Sequence, residues 1–369
     1  MKVLRISNAS GHTSSPLNSF TLARSRYFDD EETTYLAYNN NLLSNSNNKL
    51  ELLNFKQANS SLLRFIKIVF KWYNDVRKSN SKAIIHLHQP SSGFIFALFC
   101  KVFCRGIPAV YTVHNNYVNY KLRHKIFLIF CFHISDRITF VSKDAMESFS
   151  DKLIKPSYKK ALAIQNGVDV ERVDQALRDQ PERSNDDQKT LRIMTIGRLI
   201  PQKNQKFLLD VLEGFNEDWE LDVYGDGPLL DKLQQEAVQK GLSGKVQFKG
   251  VVPRDDVFQA IANSDLSVSP SLWEGLPVAL MEAMCVEVPC VVSDIPSHRE
   301  VGEEAEGVLL IELDVQAWRK LLEYLSSMDR EQRLALGRQN RDFIERHFSV
   351  RRMQERYREI YEELLQEKK

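Results

Sequence analysis

A chain of 369 residues with 43% hydrophobic and 27% charged side chains is too long for one ordinary core and too average in composition for a disordered or membrane-embedded class, so two domains of roughly 150 to 200 residues are expected. The formal net charge is +1, yet residues 49–160 hold 19 Lys or Arg against 6 Asp or Glu, a net of +13, while residues 161–369 carry a net of −12. That split points the first half, and not the second, towards an anionic partner.

The N-terminus reads Met1-Lys2-Val3-Leu4-Arg5-Ile6 and turns polar at once. It lacks the apolar stretch and cleavage site of a signal peptide, so a cytoplasmic location is expected. Residues 3–7 predict a strand, followed by a Ser/Asn/Gly loop and a helix over 17–27. Further strands are predicted over 83–87, 109–113 and 137–141, alternating with helices over 62–78, 93–103 and 122–132. Such alternation argues for a parallel sheet covered on both faces. The longest apolar run, 126–134, is broken by His133 and preceded by Lys125, short of the roughly 18 residues that span a bilayer. Asn166-Gly167 signals a turn, and the polar stretch that follows places a linker over 171–189. The pattern restarts with strands over 191–196, 221–224, 246–248, 266–269 and 288–293, separated by helices that begin near Lys203, Leu229, Arg254, Pro277 and Pro296. From Arg330 on, aromatic and aliphatic residues such as Phe343, Phe348, Tyr357, Ile360, Tyr361 and Leu364 predict long amphipathic helices. Cys100, Cys104, Cys131, Cys285 and Cys290 have no metal-ligand spacing and lie in apolar stretches, which reads as buried free thiols.

Four segments carry chemistry. Gly197-Arg198-Leu199 follows a strand and Gln202-Lys203-Asn204 opens the next helix, which places two cations at the edge of a parallel sheet where a diphosphate could sit. As a pair they could equally be solvated loop residues. In Tyr224-Gly225-Asp226-Gly227-Pro228 the glycines Gly225 and Gly227 allow close backbone approach. Gly-x-Gly-x-x-Gly is absent there and at Gly11, which disfavours an NAD oxidoreductase. Ser269 to Pro277 leads into an apolar helix, with Pro277 suited to its first turn, Glu274 in the loop before it and Glu282 inside it. Both carboxylates could be ordinary helix-associated Glu, although one inside so apolar a helix needs a partner. Thr112-Val113-His114-Asn115 ends a first-half strand and puts His114 at the sheet edge, as His86 and His88 flank another; a histidine there is also a common structural hydrogen-bonder.

Together with Gln165-Asn166-Gly167-Val168-Asp169, these segments resemble, in order and spacing, the large family-4 glycosyltransferases, retaining enzymes of the GT-B fold. The resemblance covers most of the chain and is strongest over 164–302. It implies an α/β architecture of two Rossmann-like domains facing each other across a cleft. Residues 1–170 would form an acceptor-side domain completed by a C-terminal helix over 349–369, and 190–348 would bind a nucleotide sugar. It implies that Arg198 and Lys203 hold the diphosphate and Glu282 the ribose. Glu274 with Gly275, Leu276, Pro277 and Val278 would hold the hexose and distal phosphate, and Gly250 and Val251 would lie near the base. From the first domain, Gly11 would approach the phosphates and His114 the reacting sugar; here the sequence departs from relatives that often carry two adjacent glycines, reading Ser10-Gly11-His12.

The expected activity is hexose transfer from a UDP- or GDP-sugar, with no metal, no further cofactor and no protein general base, to a saccharide or lipid-linked saccharide in bacterial surface polysaccharide synthesis. A GT-B scaffold without catalysis and a nucleotide-sugar epimerase or phosphorylase are the alternatives. The basic half, and within it Leu62 to Tyr73 with cations at three- and four-residue spacing among apolar side chains, predicts attachment to the cytoplasmic face of the inner membrane; the same helix could instead pack on its sheet. No nucleic-acid partner is expected.

Overall fold

The computed structural model describes residues 1–7, 32–37, 50–52, 61–88, 98, 102–149, 161–178 and 190–367. The chain divides into two compact units, residues 1–166 with 350–369, and residues 167–349.

The first unit holds a seven-stranded parallel sheet of β1 (Lys2–Ser7), β2 (Glu32–Ala37), β3 (Leu50–Leu52), β4 (Ala83–His88), β5 (Ala109–Val113), β6 (Arg137–Phe140) and β7 (Ala161–Ala163), in the order β3-β2-β1-β4-β5-β6-β7. Every residue of β4 and β5 is buried, as expected of strands covered on both faces. Alternation along them sorts the core into two halves. Leu4, Ile85, Leu87, Tyr111 and Val113 meet a helix layer that includes Val69, Trp72 and Val76 of α1 (Ser61–Lys78) and Leu128, Cys131 and Phe132 of α2 (Leu122–Ile134). Val3, Ile84 and Val110 face the other way. Ser142, whose hydroxyl accepts from the Ala145 amide, caps the short α3 (Lys143–Glu147).

The second unit begins at Gly167 rather than near residue 190. The stretch expected as linker starts with α4 (Val170–Leu177), capped by Asp169 and packed on α7 (Arg254–Ala262); Val173, completely buried, makes it part of the domain. Residues 179–189 lie outside the described residues. The six-stranded parallel sheet comprises β8 (Leu191–Ile196), β9 (Trp219–Tyr224), β10 (Val246–Gly250), β11 (Leu266–Ser269), β12 (Cys290–Ser293) and β13 (Val308–Ile311), in the order β10-β9-β8-β11-β12-β13. Its other helices are α5 (Gln205–Leu212), α6 (Leu230–Gln239), α8 (Val278–Cys285), α9 (Pro296–Gly302), α10 (Val315–Ser327) and α11 (Arg330–His347), the last opened by a capping box between Asp329 and Gln332.

After Ser349 the chain re-enters the first unit as α12 (Val350–Glu367). Val350, Met353, Tyr357, Ile360, Tyr361 and Leu364 form one stripe at helical spacing, and it covers the face of Val3, Ile84 and Val110. By the same alternation His86 points to this face, where Nδ1 lies 2.6 Å from the Tyr361 hydroxyl and Nε2 2.7 Å from Thr112 Oγ1. Cys104, Cys131, Cys285 and Cys290 are buried free thiols; Cys100 lies outside the described residues. Among the described residues no helix is long and apolar enough to cross a membrane.

Tyr361→Phe keeps the packing and removes only a buried hydroxyl, so it should cost about 1 kcal/mol, whereas Leu364→Ala opens a cavity and should cost about 2 to 4 kcal/mol. Chemical denaturation of both variants beside the parent checks the ranking.

Candidate functional site

In the second sheet the strand order reverses between β8 and β11, and in open parallel sheets ligands bind beyond the C-terminal strand ends at such a switch point. The loops that leave β8, β9, β11 and β12 carry most of the residues singled out in the sequence. Gly197 follows β8, its amide bonded to the Tyr224 carbonyl at 2.9 Å, and Leu199 N–H donates to the Asp226 carbonyl at 2.9 Å, so the loops after β8 and β9 are sewn together. Gly225, at φ +129°, packs so closely that a Cβ there would stand 2.0 Å from the Gly197 carbonyl oxygen; one at Gly227 would stand 2.5 Å from that of Leu199. Only glycine permits this double approach.

Pro201–Lys203 forms a 3-10 turn that ends on Asn204 in a left-handed conformation at φ +53°. The turn folds the Lys203 stem back over Gly197, whose absent side chain leaves the room. Lys203 Nζ then reaches Glu274 Oε1 at 2.6 Å. The same oxygen accepts from Ser271 Oγ at 2.6 Å, and Oε2 accepts from Gln202 Nε2 at 3.3 Å. Two further bonds fix the loop: Leu272 N–H to the Gln202 carbonyl at 2.8 Å and Gln202 Nε2 to the Trp273 carbonyl at 2.9 Å. Glu274 is thus a buried carboxylate held by three donors, while the side chain of Lys203 keeps 19% of its surface exposed and Arg198 is exposed. Such an arrangement presents fixed positive charge to an anion beside a buried, oriented acceptor.

Glu282, on α8, has the partner its burial demands. It pairs with Arg254 at the start of α7, and both side chains are almost fully buried. Burial lowers the Arg254 guanidinium to about 9, so it stays charged at neutral pH. Pro277 flanks α8 from the N-cap position rather than sitting in its first turn, Leu276 is buried, and Gly275 and Val278 keep partial exposure. Val251 is exposed just after Gly250, which turns at φ +68°.

Sequence reasoning missed four contributors. Ser271 and Gln202 hold Glu274, Arg254 neutralises Glu282, and His298 of α9 lies beneath the ion pair. His298 Nδ1 is 2.7 Å from the Ser293 carbonyl, and Ser293 Oγ donates to the Ser271 carbonyl. The Ser-x-x-Glu spacing from Ser271 to Glu274 was the one local signal available.

In the first unit His114 follows β5, its Nε2 3.1 Å from Nδ1 of His88, whose ring stacks on His86 at 4.2 Å. Burial lowers His114 to about 4 and holds His86 and His88 well below the ordinary imidazole range, so all three are neutral at pH 7. Gly11 lies outside the described residues. Among the described residues no cluster of His, Cys, Asp and Glu has the makings of a metal site.

A family model described as Glycosyl transferases group 1 matches residues 177–343, and one described as Glycosyltransferase Family 4 matches residues 51–172. The UDP-Gal:alpha-D-GlcNAc-diphosphoundecaprenol alpha-1,3-galactosyltransferase of Escherichia coli is 28% identical over 69% of this chain and 69% of its own length. The putative glycosyltransferase EpsF of Bacillus subtilis is 30% identical over 48% of this chain and 46% of its own. Among solved structures, Anabaena Alr3699/HepE in complex with UDP and glucose is similar in fold, with a TM-score of 0.73 at 16% identity over 98% of this chain and 100% of that one. Sucrose-phosphate synthase from Thermosynechococcus elongatus gives 0.72 at 15% identity, over 98% of each chain.

His298 offers a check on the loop architecture. Burial lowers its imidazole from 6.5 to about 4, so as pH falls the unfolded chain takes up the proton first. Stability present above about pH 6.5 is lost between there and about pH 4, by about 3 kcal/mol from this residue. His298→Asn should remove about one proton from the uptake on unfolding near pH 5, read from denaturation midpoints across that range; an unchanged pH slope would contradict the burial.

Proposed function

We propose, from the premise that this chain is a family-4 glycosyltransferase of the GT-B fold, that it transfers a hexose, with retention of anomeric configuration, from a nucleoside-diphosphate sugar to a saccharide or lipid-linked saccharide. The process it serves is the synthesis of a bacterial surface polysaccharide. The observation that carries the reading is the Lys203–Glu274 pair at 2.6 Å, set at the sheet's switch point beside the exposed Arg198.

A departing nucleoside diphosphate develops negative charge as the glycosidic bond breaks. Arg198 and Lys203 stabilise that charge, together with the amides of Gly275 and Leu276 ahead of α8, and this is the main catalytic task. No metal or resident cofactor is required when fixed cations supply it. Glu274 accepts hydrogen bonds from the hexose hydroxyls. Its engagement with Lys203, Ser271 and Gln202 supports an anchoring role over that of a covalent nucleophile. The departing phosphate takes the acceptor's proton on the face it leaves, which yields retention without a protein base. Glu282, paired with Arg254, holds the ribose; Gly225, Gly227 and Val251 border the nucleotide. In the first unit, Gly11 serves the phosphates and His114, neutral at pH 7, serves the sugar as a hydrogen-bonding group.

UDP is the favoured nucleotide. The Escherichia coli relative is named for UDP-galactose and a diphosphoundecaprenol acceptor, and the Anabaena structure holds UDP and glucose. The same relative supports a lipid-linked acceptor, and the basic first half supports work at an anionic membrane surface on the cytoplasmic side.

UDP-hexoses should raise the thermal midpoint, since a ligand at a hundred times its dissociation constant adds about 2.7 kcal/mol; a screen of UDP-, GDP- and ADP-sugars in which none stabilises the protein would remove donor binding from the reading. Lys203→Ala should lower kcat by about 100-fold or more. Glu282→Gln should instead weaken donor binding about tenfold, and unchanged kinetics in both variants would refute the assignment.

A further inference from the structure

The helix layer on one face of the first sheet turns an apolar surface away from the protein. α2 packs Leu128, Cys131 and Phe132 into the core. On its opposite side Leu122, Ile126, Ile129 and Phe130 are 75%, 48%, 38% and 49% exposed. At 100° per residue these four fall within an arc of about 100°, a single stripe. A surface helix ordinarily puts polar side chains there, and a contiguous exposed apolar patch marks a surface that meets something.

The charges around the stripe say what it meets. From Val76 to Ser135 the chain contains no Asp or Glu. Lys121 and Arg123 are exposed at the N-terminal end of the stripe, and Lys125 rests its ammonium 4.1 Å from the centre of the Tyr117 ring. A second helix that packs into the same core behaves alike. α1 buries Val69, Trp72 and Val76 and turns Lys67, Phe70 and Lys71 outward, with the Phe70 ring edge-on to the exposed Phe103 at 5.5 Å. Among its described side chains, α1 packs on its sheet through Val69, Trp72 and Val76 and offers the outside a basic, partly apolar edge. A second copy of this face would bring the same cations together, which like-charge repulsion opposes. A bilayer of anionic lipids provides both an apolar interior for the stripe and phosphates for its rim.

We infer that the outward face of α2 is the membrane-docking surface: Leu122, Ile126, Ile129 and Phe130 enter the boundary between headgroups and acyl chains while Lys121 and Arg123 contact lipid phosphates. The inference rests on the membrane reading above and deepens it by assigning the surface and the mode, insertion as well as charge attraction. Binding driven by charge alone vanishes when salt shortens the screening length to roughly 3 Å at 1 M, whereas the inserted stripe retains part of it.

The test uses the full chain and sedimentation with vesicles of phosphatidylcholine alone or with phosphatidylglycerol. The parent should bind the anionic vesicles and retain measurable binding at about 1 M salt. Ile126→Ser/Ile129→Ser/Phe130→Ser should bind at least about tenfold more weakly while keeping a cooperative thermal transition, its midpoint lowered because the three side chains are partly buried. Equal binding by the triple variant would overturn this assignment and leave membrane attachment standing; no binding by the parent at low salt would overturn both. A parent that is dimeric without lipid and a variant that is monomeric would show the face to be a contact between copies, against the inference. Should the triple variant fail to fold, Phe130→Trp decides: its added fluorescence should be quenched by brominated phosphatidylglycerol, and an unquenched signal would overturn the insertion.

Discussion

A carboxylate with 5% of its surface exposed is costly to bury unless donors surround it, and the second unit is arranged around meeting that cost for Glu274. The Lys203 stem reaches it by lying over Gly197, where a Cβ would stand 3.0 Å from Lys203 Cε, and the 3-10 turn that carries Lys203 ends on a left-handed Asn204. The loop that carries Glu274 is tied to the Lys203 loop through Gln202, and it rests on Ser293 and His298 below. Gly225 and Gly227 then lock the loop after β9 against the backbone of Gly197 and Leu199. One ion pair at the switch point thus ties the placement of loops from four strands to a single charge, the preorganisation that leaving-group stabilisation needs.

The loops that bear this chemistry were legible because parallel-sheet strands are short apolar runs, and each such run in the second half ends in a recognisable Gly, Ser or Pro turn. Strands without that signature escaped notice. β2 opens with Glu-Thr-Thr, β3 and β7 are three residues each, and β13 is four. The boundary at Gly167 was visible as a turn, but half of the residues in the short helix that follows it are polar, and its packing on α7 is a tertiary fact.

At the site, residue type was readable and partnership was not. Lys203 and Glu274 were assigned to different parts of a ligand, yet 71 positions apart in sequence they bind each other. Glu282 advertised the need for a partner through its apolar helix, but nothing local singles out Arg254 among the cations. In the first half the +13 charge was visible in composition; which side chains turn outward was not. From Ile126 to Phe132 α2 is apolar all round, and only packing separates the face that meets the sheet from the one that does not.

The return of α12 to the first unit bears on the order in which the protein can be made. Residues 167–349 contain every strand and helix of the second unit, so that unit can close on itself as soon as its last residue is available. The first unit, although its sheet is translated earlier, still exposes Val3, Ile84, Val110 and the polar edges of His86 and Thr112 until Tyr357, Tyr361 and Leu364 emerge. During synthesis the domain begun first is therefore completed last. A chain cut short by twenty residues would carry a finished second unit and a first one with an open apolar flank.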